Sequence, residues 1–337
     1  MILVTGGTGL LGGHLLYSLV VNGEKVRALK RENSDISKTE KIFSYYSSDY
    51  KNILKNIEWV NGDLLDIYSL EDAMKDVVEV YHCAALVTFN DKDKKQIYKT
   101  NIEGTANMVN AAIAGSIRKF CYVSSIGAIT HKNSFGIFDE KLEFDSVNKL
   151  SPYSLSKLNA EREVWRGIHE GLNAFIVNPS VILGPGDWEN DSSRIIGLAA
   201  RGMKYYTKGI TGYVDVRDVV NIMISLMKSD ITSERFIVNS QNIDYREFYS
   251  LIAKFLNNKP PSVFVGSFKL ALAWRLAKLK SILTGKPPLI TKDLIKISQK
   301  KTQYLNDKIN ERLNYNFIPL KESLAFCCEK FKNRKNN

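Results

Sequence analysis

The chain has 337 residues, enough for one large α/β domain or a nucleotide-binding domain with a smaller partner. Its 44% apolar and 25% charged content is that of an ordinary folded globule and excludes a disordered chain. The net charge of +11 raises nucleic acid, an anionic membrane or a phosphate-bearing ligand, but the lysines run from Lys25 to Lys335 and read as dispersed, and no basic face with interleaved aromatics marks a nucleic-acid module. The first strand is expected at 2–5, so no signal peptide is expected ahead of it. Further strands are expected at 25–29, 57–61, 80–84 and 120–124. Between them lie a helix at 10–22, a long polar stretch at 34–56, and helices at 69–75 and 101–114. Apolar strands alternating with helices predict an α/β fold, a Rossmann-type doubly wound parallel sheet with helices on both faces. Another helix starts near Ser151-Pro152, where proline suits a first turn, and a strand follows at 174–178.

Beyond Gly184-Pro185-Gly186 the pattern loosens into a Gly/Asp/Ser-rich loop at 186–193, a short helix, a strand at 212–216, a helix at 219–227 and a strand at 235–238. From Tyr245 the chain reads as mostly helical, interrupted at Lys259-Pro260-Pro261 and Lys286-Pro287-Pro288, and it ends in a polar tail at 332–337. The expected organisation is a nucleotide-binding domain at 1–180, with a later strand contributed by about 212–240, and a smaller, mostly helical substrate-binding region at 181–211 and 241–331. Within that region Phe268, Leu272, Leu276, Leu279 and Leu283 recur at helical spacing, with Lys269, Arg275, Lys278 and Lys280 between them. Such a segment at 268–283 can lie on a membrane surface, but a helix covering a pocket or core is the commoner case and is the reading preferred. No apolar run reaches the roughly 18–20 residues needed to cross a bilayer. Cys83 and Cys121 sit in strand-like runs, and Cys327 and Cys328 are adjacent, so neither metal-ligand spacing nor a disulfide framework is apparent. A reducing, cytoplasmic location and no metal are expected.

The first strand runs into Thr5-Gly6-Gly7-Thr8-Gly9-Leu10-Leu11-Gly12 and then a helix. Glycines at 6, 9 and 12 allow the sharp turn, the approach of backbone N–H groups to a pyrophosphate and close helix–strand packing. The helix N-terminus adds unpaired donors and partial positive charge, so Gly6, Thr8, Gly9, Leu10, Leu11 and Gly12 are expected to bind the cofactor. The second strand ends in Lys30-Arg31 with Glu32 one step later, where a carboxylate would otherwise select a free ribose hydroxyl. Arg31, supported by Lys30, suits a 2′-phosphate, so NADP(H) is expected over NAD(H). Asp63 and Leu64 at the end of the third strand are expected near the adenine, and Cys83, Ala84 and Ala85 beneath the dinucleotide. His82, on a buried strand, reads as a core histidine.

Tyr153 and Lys157 lie four residues apart, on one face of a helix. A neighbouring ammonium favours phenolate and is expected to lower the tyrosine pKa, making it a better acid/base near neutral pH. Ser125, at a strand end with Ser124, can donate to a substrate oxygen and hold it beside the tyrosine. Tyr304 and Lys308 repeat the spacing, and that copy reads as a surface helix. Val87, Thr88, Phe89, Trp188 and Tyr213 are expected to line a substrate pocket.

Together T-G-G-T-G-L-L-G, G-D-L, the Ser-Ser strand end and Y-S-L-S-K resemble the extended short-chain dehydrogenase/reductases over roughly residues 1–240. The resemblance implies that Tyr153 is the proton donor/acceptor, that Lys157 binds the nicotinamide ribose, that Ser125 orients the carbonyl, and that Asn101 is the helix asparagine beside the active site. It also implies that Pro179 and Ser180, within N-P-S-V-I-L-G-P, pack along the nicotinamide. That segment is similar to those of dihydroflavonol and cinnamoyl-CoA reductases, and 3β-hydroxysteroid dehydrogenase-like proteins share many of the same features. The expected activity is NADP-dependent reduction of a ketone, aldehyde or thioester on a small or lipophilic substrate. The alternatives are a nucleotide-sugar epimerase or dehydratase and a non-catalytic NADP-binding regulator. A homodimer is a family-level expectation only.

Overall fold

Strands whose residues are buried on both faces pair side by side in parallel, because each crossover helix returns the chain to the same edge of the sheet. A computed structural model describes residues 1–88, 90–141, 150–284 and 291–334 in this arrangement. Phe89, the Lys286-Pro287-Pro288 break and the last three residues of the polar tail lie outside the described residues. The chain runs β1 (Ile2–Thr5), α1 (Leu10–Val21), β2 (Val26–Lys30), α2 (Ser37–Ser44), α3 (Tyr50–Leu54), β3 (Ile57–Asn61), α4 (Ile67–Ala73), β4 (Glu79–His82), α5 (Lys94–Tyr98), α6 (Gly104–Ala114), β5 (Lys119–Val123), α7 (Pro152–His169) and β6 (Ala174–Pro179). It continues with β7 (Val181–Leu183), α8 (Arg194–Ala200), β8 (Tyr205–Tyr206), β9 (Ile210–Asp215), α9 (Val216–Lys228), β10 (Arg235–Val238) and β11 (Gln241–Asp244). Then follow α10 (Tyr245–Phe255), β12 (Val263–Phe264), α11 (Ser267–Thr284), α12 (Lys292–Gln299), α13 (Asp307–Leu313) and α14 (Leu320–Asn333).

Seven strands form the main sheet in the order β10-β6-β5-β4-β1-β2-β3, all parallel. Side chains alternate between its faces. Ile2 and Val4 pack with Leu15, Leu16, Val219 and Met223 on one side, while Leu3 packs with Leu70, Met108 and Val109 on the other. The strand order reverses between β1 and β4, and the crevice above that point is where such sheets bind dinucleotides. The smaller lobe holds a three-stranded sheet, β11-β9-β7, and the short pair β12-β8. Its core gathers Trp188, Tyr213, Phe248, Leu324, Cys327 and Phe331.

Two expectations change. The polar stretch 34–56 contains α2 and α3, and Thr39 of α2 donates to the Gly7 carbonyl at 3.0 Å, tying that helix to the glycine turn. Tyr304 is not on a surface helix: it bridges Phe138, stacks on its ring at 5.4 Å and precedes α13, so Tyr304 and Lys308 share no helical face.

Candidate active site

Between β1 and α1 the chain turns at Gly6 with φ +73°. A Cβ there would sit 2.7 Å from the Ala84 nitrogen, so the turn and the end of β4 touch through backbone alone. A Cβ at Gly12 would lie 2.1 Å from the Gly6 carbonyl oxygen. Gly9 caps α1 in an extended conformation and no side chain caps the helix, so its first-turn N–H groups point at the crevice. Gly9 is exposed, Thr8 is half-buried, and Leu10 and Leu11 anchor the helix in the core. This cradle, open to an anion and closed to any Cβ at its base, fits a dinucleotide pyrophosphate.

Other sequence-derived positions lie along the same crevice. Arg31 is exposed just after β2, whereas Lys30 donates to Asn61 Oδ1 at 2.8 Å, so Arg31 is the less committed cation. Asp63 is exposed, its carboxylate accepting the Leu65 N–H at 2.9 Å, and Leu64 is buried. Cys83, Ala84 and Ala85 are half-buried beside Gly6, and burial pushes the Cys83 thiol up to about 12. Pro179 and Ser180 are buried, and Ser180 Oγ has no hydrogen-bond partner among the described residues. An orphan hydroxyl there suits a ligand that brings a polar atom.

Ser151 opens α7 by accepting the Ser154 N–H at 3.2 Å, with Pro152 in the first turn. This places the half-buried Tyr153 in the first turn of the helix and the buried Lys157 one turn further along. The Tyr153 hydroxyl is hydrogen-bonded to Ser125. Ser125 caps the short turn after β5 by accepting the Gly127 N–H at 3.1 Å. Lys157 is 2% exposed, donates to the Val123 carbonyl at 2.7 Å and lies 4.5 Å over the Tyr122 ring. Burial pulls its ammonium down to about 7, opposed by Glu161. The Tyr153 phenol is held above its ordinary value by burial, with the Ser125 hydrogen bond acting the other way.

A buried network, not anticipated, fixes both α7 and the serine turn after β5. Glu161, one turn below Lys157, pairs with Arg235 at 3.1 Å, their side chains 1% and 2% exposed. Asn178 donates to Glu161 Oε1 at 2.5 Å and to the Ser125 carbonyl at 3.0 Å. β6, β10 and α7 are thereby tied to the serine turn. The signal available was Glu161 itself, eight residues after Tyr153 on the same helical face.

His82 is a core histidine, and its partners dictate its tautomer. Thr105 gives its one hydroxyl hydrogen to the Asn101 carbonyl at 2.6 Å and so accepts from His82 Nε2–H at 3.2 Å. This leaves His82 Nδ1 to accept from Thr5 Oγ1 at 2.7 Å, itself accepting the Ala84 N–H at 3.1 Å. Asn101 lies in a π-turn between α5 and α6. Its amide accepts the Leu86 N–H at 2.7 Å and donates to the Leu86 carbonyl and Ser156 Oγ at 3.0 and 2.9 Å. Asn101 is thus a positioning residue that fastens the segment after β4 to α7.

The substrate residues divide. Thr88 and Tyr153 line one narrow cleft with Asn90, Ile97, Pro152 and Asp293, and Val87 beside it is 60% exposed. Trp188 and Tyr213 are corrections: they are 5% and 1% exposed. Trp188 donates to Tyr45 Oη at 2.8 Å and meets Phe331, while Tyr213 stacks on Phe248 at 3.9 Å. Both are core aromatics because α10, α14 and the segment after α2 close over them. The four cysteines are free, and no group of three or more His, Cys, Asp or Glu among the described residues could hold a metal ion.

The family model for the NAD dependent epimerase/dehydratase family matches residues 2–239. Sterol demethylase protein B of Methylococcus capsulatus is 29% identical over 265 residues, 78% of this chain and 76% of that protein. Dihydroflavonol 4-reductase of Arabidopsis thaliana is 27% identical over 278 residues, 78% and 70% of the two chains. The crystal structure of gox2253 superposes with a TM-score of 0.81 at 28% identity, covering 99% of this chain and 98% of that one.

Proposed function

Because the chain belongs to the NAD dependent epimerase/dehydratase family and is an NAD(P)-dependent oxidoreductase, we propose that it reduces the carbonyl of a small or lipophilic substrate with NADPH in the cytoplasm. The observation that carries this reading is the Ser125–Tyr153 hydroxyl pair with Lys157 buried one turn below it. The bound dinucleotide supplies a hydride to the carbonyl carbon. The turn from Gly6 to Gly12 holds its pyrophosphate, Arg31 its 2′-phosphate, Asp63 and Leu64 its adenine end, and Lys157 the ribose beside Pro179 and Ser180. Ser125 and Tyr153 donate to the substrate oxygen, with Val87 and Thr88 alongside. Tyr153 gives its proton to the developing alkoxide, and the Lys157 ammonium offsets the phenolate that remains.

The test is nicotinamide fluorescence titration with NADPH and NADH, followed by turnover of aldehydes, ketones, ketosteroids and acyl-CoA thioesters. Tighter NADPH binding is expected, together with a carbonyl substrate whose turnover is abolished in Tyr153→Phe while cofactor binding persists. NAD that resists dialysis, joined to stabilisation by UDP, would replace this reading with sugar-nucleotide epimerisation. Near wild-type turnover by Tyr153→Phe would remove the tyrosine from the mechanism.

A further inference from the structure

α11 turns the wrong way for a helix that covers a core. None of its described side chains through Ala277 is buried, and Phe268, Leu272 and Leu276 are 85%, 51% and 58% exposed. At about 100° per residue these three occupy one stripe roughly 80° wide. Arg275 falls about 20° beyond one border and Lys269 about 20° beyond the other, and both are exposed. The positions facing the protein, Leu270, Ala273 and Trp274 among them, are half-buried. Phe264 of the adjoining β12 adds another exposed apolar ring, at 42%.

The charge is not dispersed after all. Residues 267–301 hold nine lysines and arginines against one acid, Asp293, a net +8 of the chain's +11 in 35 residues. An outward apolar stripe with cationic borders suits a surface that is apolar below and anionic above. A second copy of the chain would bring Lys269 and Arg275 against their own counterparts, which disfavours self-association through this face. No described helix is long and apolar enough to cross a membrane, so the geometry is that of a helix lying in the interface.

We propose that α11 docks the protein on an anionic bilayer, its Phe268–Leu272–Leu276 stripe at the acyl boundary and the flanking lysines and arginines on lipid phosphates. α12 is joined to α11 where Ser267 Oγ donates to Gln299 Oε1 at 3.3 Å, and Asp293 of α12 lines the cleft that holds Tyr153. Docking therefore carries the mouth of that cleft to the membrane. That a lipophilic substrate enters there rests on the reductase reading; the docking does not.

Sedimentation of the full chain with phosphatidylcholine vesicles, with and without phosphatidylserine and at low and high salt, tests this. Expected is binding that requires phosphatidylserine and weakens with salt. Lys269→Ala with Arg275→Ala should weaken it roughly 25-fold, about fivefold per charge. Leu272→Glu with Leu276→Glu should abolish it, with melting temperature and NADPH affinity unchanged, so loss of fold or of cofactor binding is read separately. A folded wild-type protein that ignores phosphatidylserine, or a Glu variant that sediments like wild type, would overturn the proposal. So would a solution dimer that the Glu variant dissociates without any vesicle binding.

Discussion

Adding one methyl group at Gly12 tests how the phosphate cradle is built. A Cβ there lies 2.1 Å from the Gly6 oxygen and 2.6 Å from its carbonyl carbon, against the 3.0 Å below which real contacts essentially never occur. The oxygen is backbone of the glycine turn between β1 and α1, so turn and helix must part by at least 0.9 Å. Overpacking of this kind costs about 1–3 kcal/mol, or roughly 1.4 °C of melting temperature per kcal/mol in a chain of this size. If a bound dinucleotide has to reverse the displacement, the same energy appears as about a 5- to 150-fold rise in the NADPH dissociation constant. Gly13→Ala is the control. It carries the same helix-propensity gain, up to about 1 kcal/mol, but its one close approach is to the far end of the Ile42 side chain at 2.6 Å, with the Gly7 oxygen at an ordinary 3.6 Å. Thermal melts with and without NADPH, together with nicotinamide fluorescence titrations, measure both effects. Gly12→Ala protein that melts and binds NADPH like wild type, or Gly13→Ala protein that is equally damaged, refutes the argument.

Arg31→Ala should weaken NADPH about tenfold, the lower end expected for an exposed charge-assisted contact, and leave NADH unchanged; equal losses for both cofactors would release Arg31 from the phosphate. Glu161→Gln leaves Arg235 buried without its partner and should cost about 3–5 kcal/mol in urea denaturation. In the same variant the Lys157 ammonium loses its opposing carboxylate, so the alkaline limb of the pH–rate profile should move to lower pH, a shift that a purely structural role would not produce. Burial depresses His14 to about 4 and His82 to about 3 from an ordinary 6.5, so the unfolded chain binds protons that the native chain refuses. Their contribution is complete above about pH 6.5 and drains away as pH falls toward those values; His14→Gln should flatten the loss between pH 6.5 and 4, seen as a shallower fall in urea midpoint.

The sheet was legible because its central strands, β1, β5 and β6, are buried along their whole length and mostly apolar. The strands at 2–5, 57–61 and 235–238 occur with the bounds read from the residues, and the others shift by one or two positions. The short helices α2 and α3 were not legible, since each is too brief and polar to display a period of 3.6. Tyr45 and His14, which anchor Gly186 and Pro185 by hydrogen bonds of 2.8 and 3.0 Å, were hidden for another reason: their partners lie more than 140 residues away. Ser125, Tyr153 and Lys157 could be brought together from strand end and helix spacing. That Trp188 and Tyr213 are interior could not, because burial is decided by what packs over a residue. The Glu161–Arg235 pair spans 74 positions and depends on β10 joining β6.

That last pairing also sets a clock. β6 ends at Pro179, but its outer neighbour is completed only at Val238, 59 residues later. At about 5–20 residues per second of synthesis, the nascent sheet waits about 3–12 s with β6 as a bare edge. During that interval Glu161 has no arginine to neutralise it. An unpaired strand edge, apolar from Ala174 to Val177, invites pairing with other chains. Fragments ending near residue 180 would keep this open edge permanently, because the strand that covers it comes from 235–238.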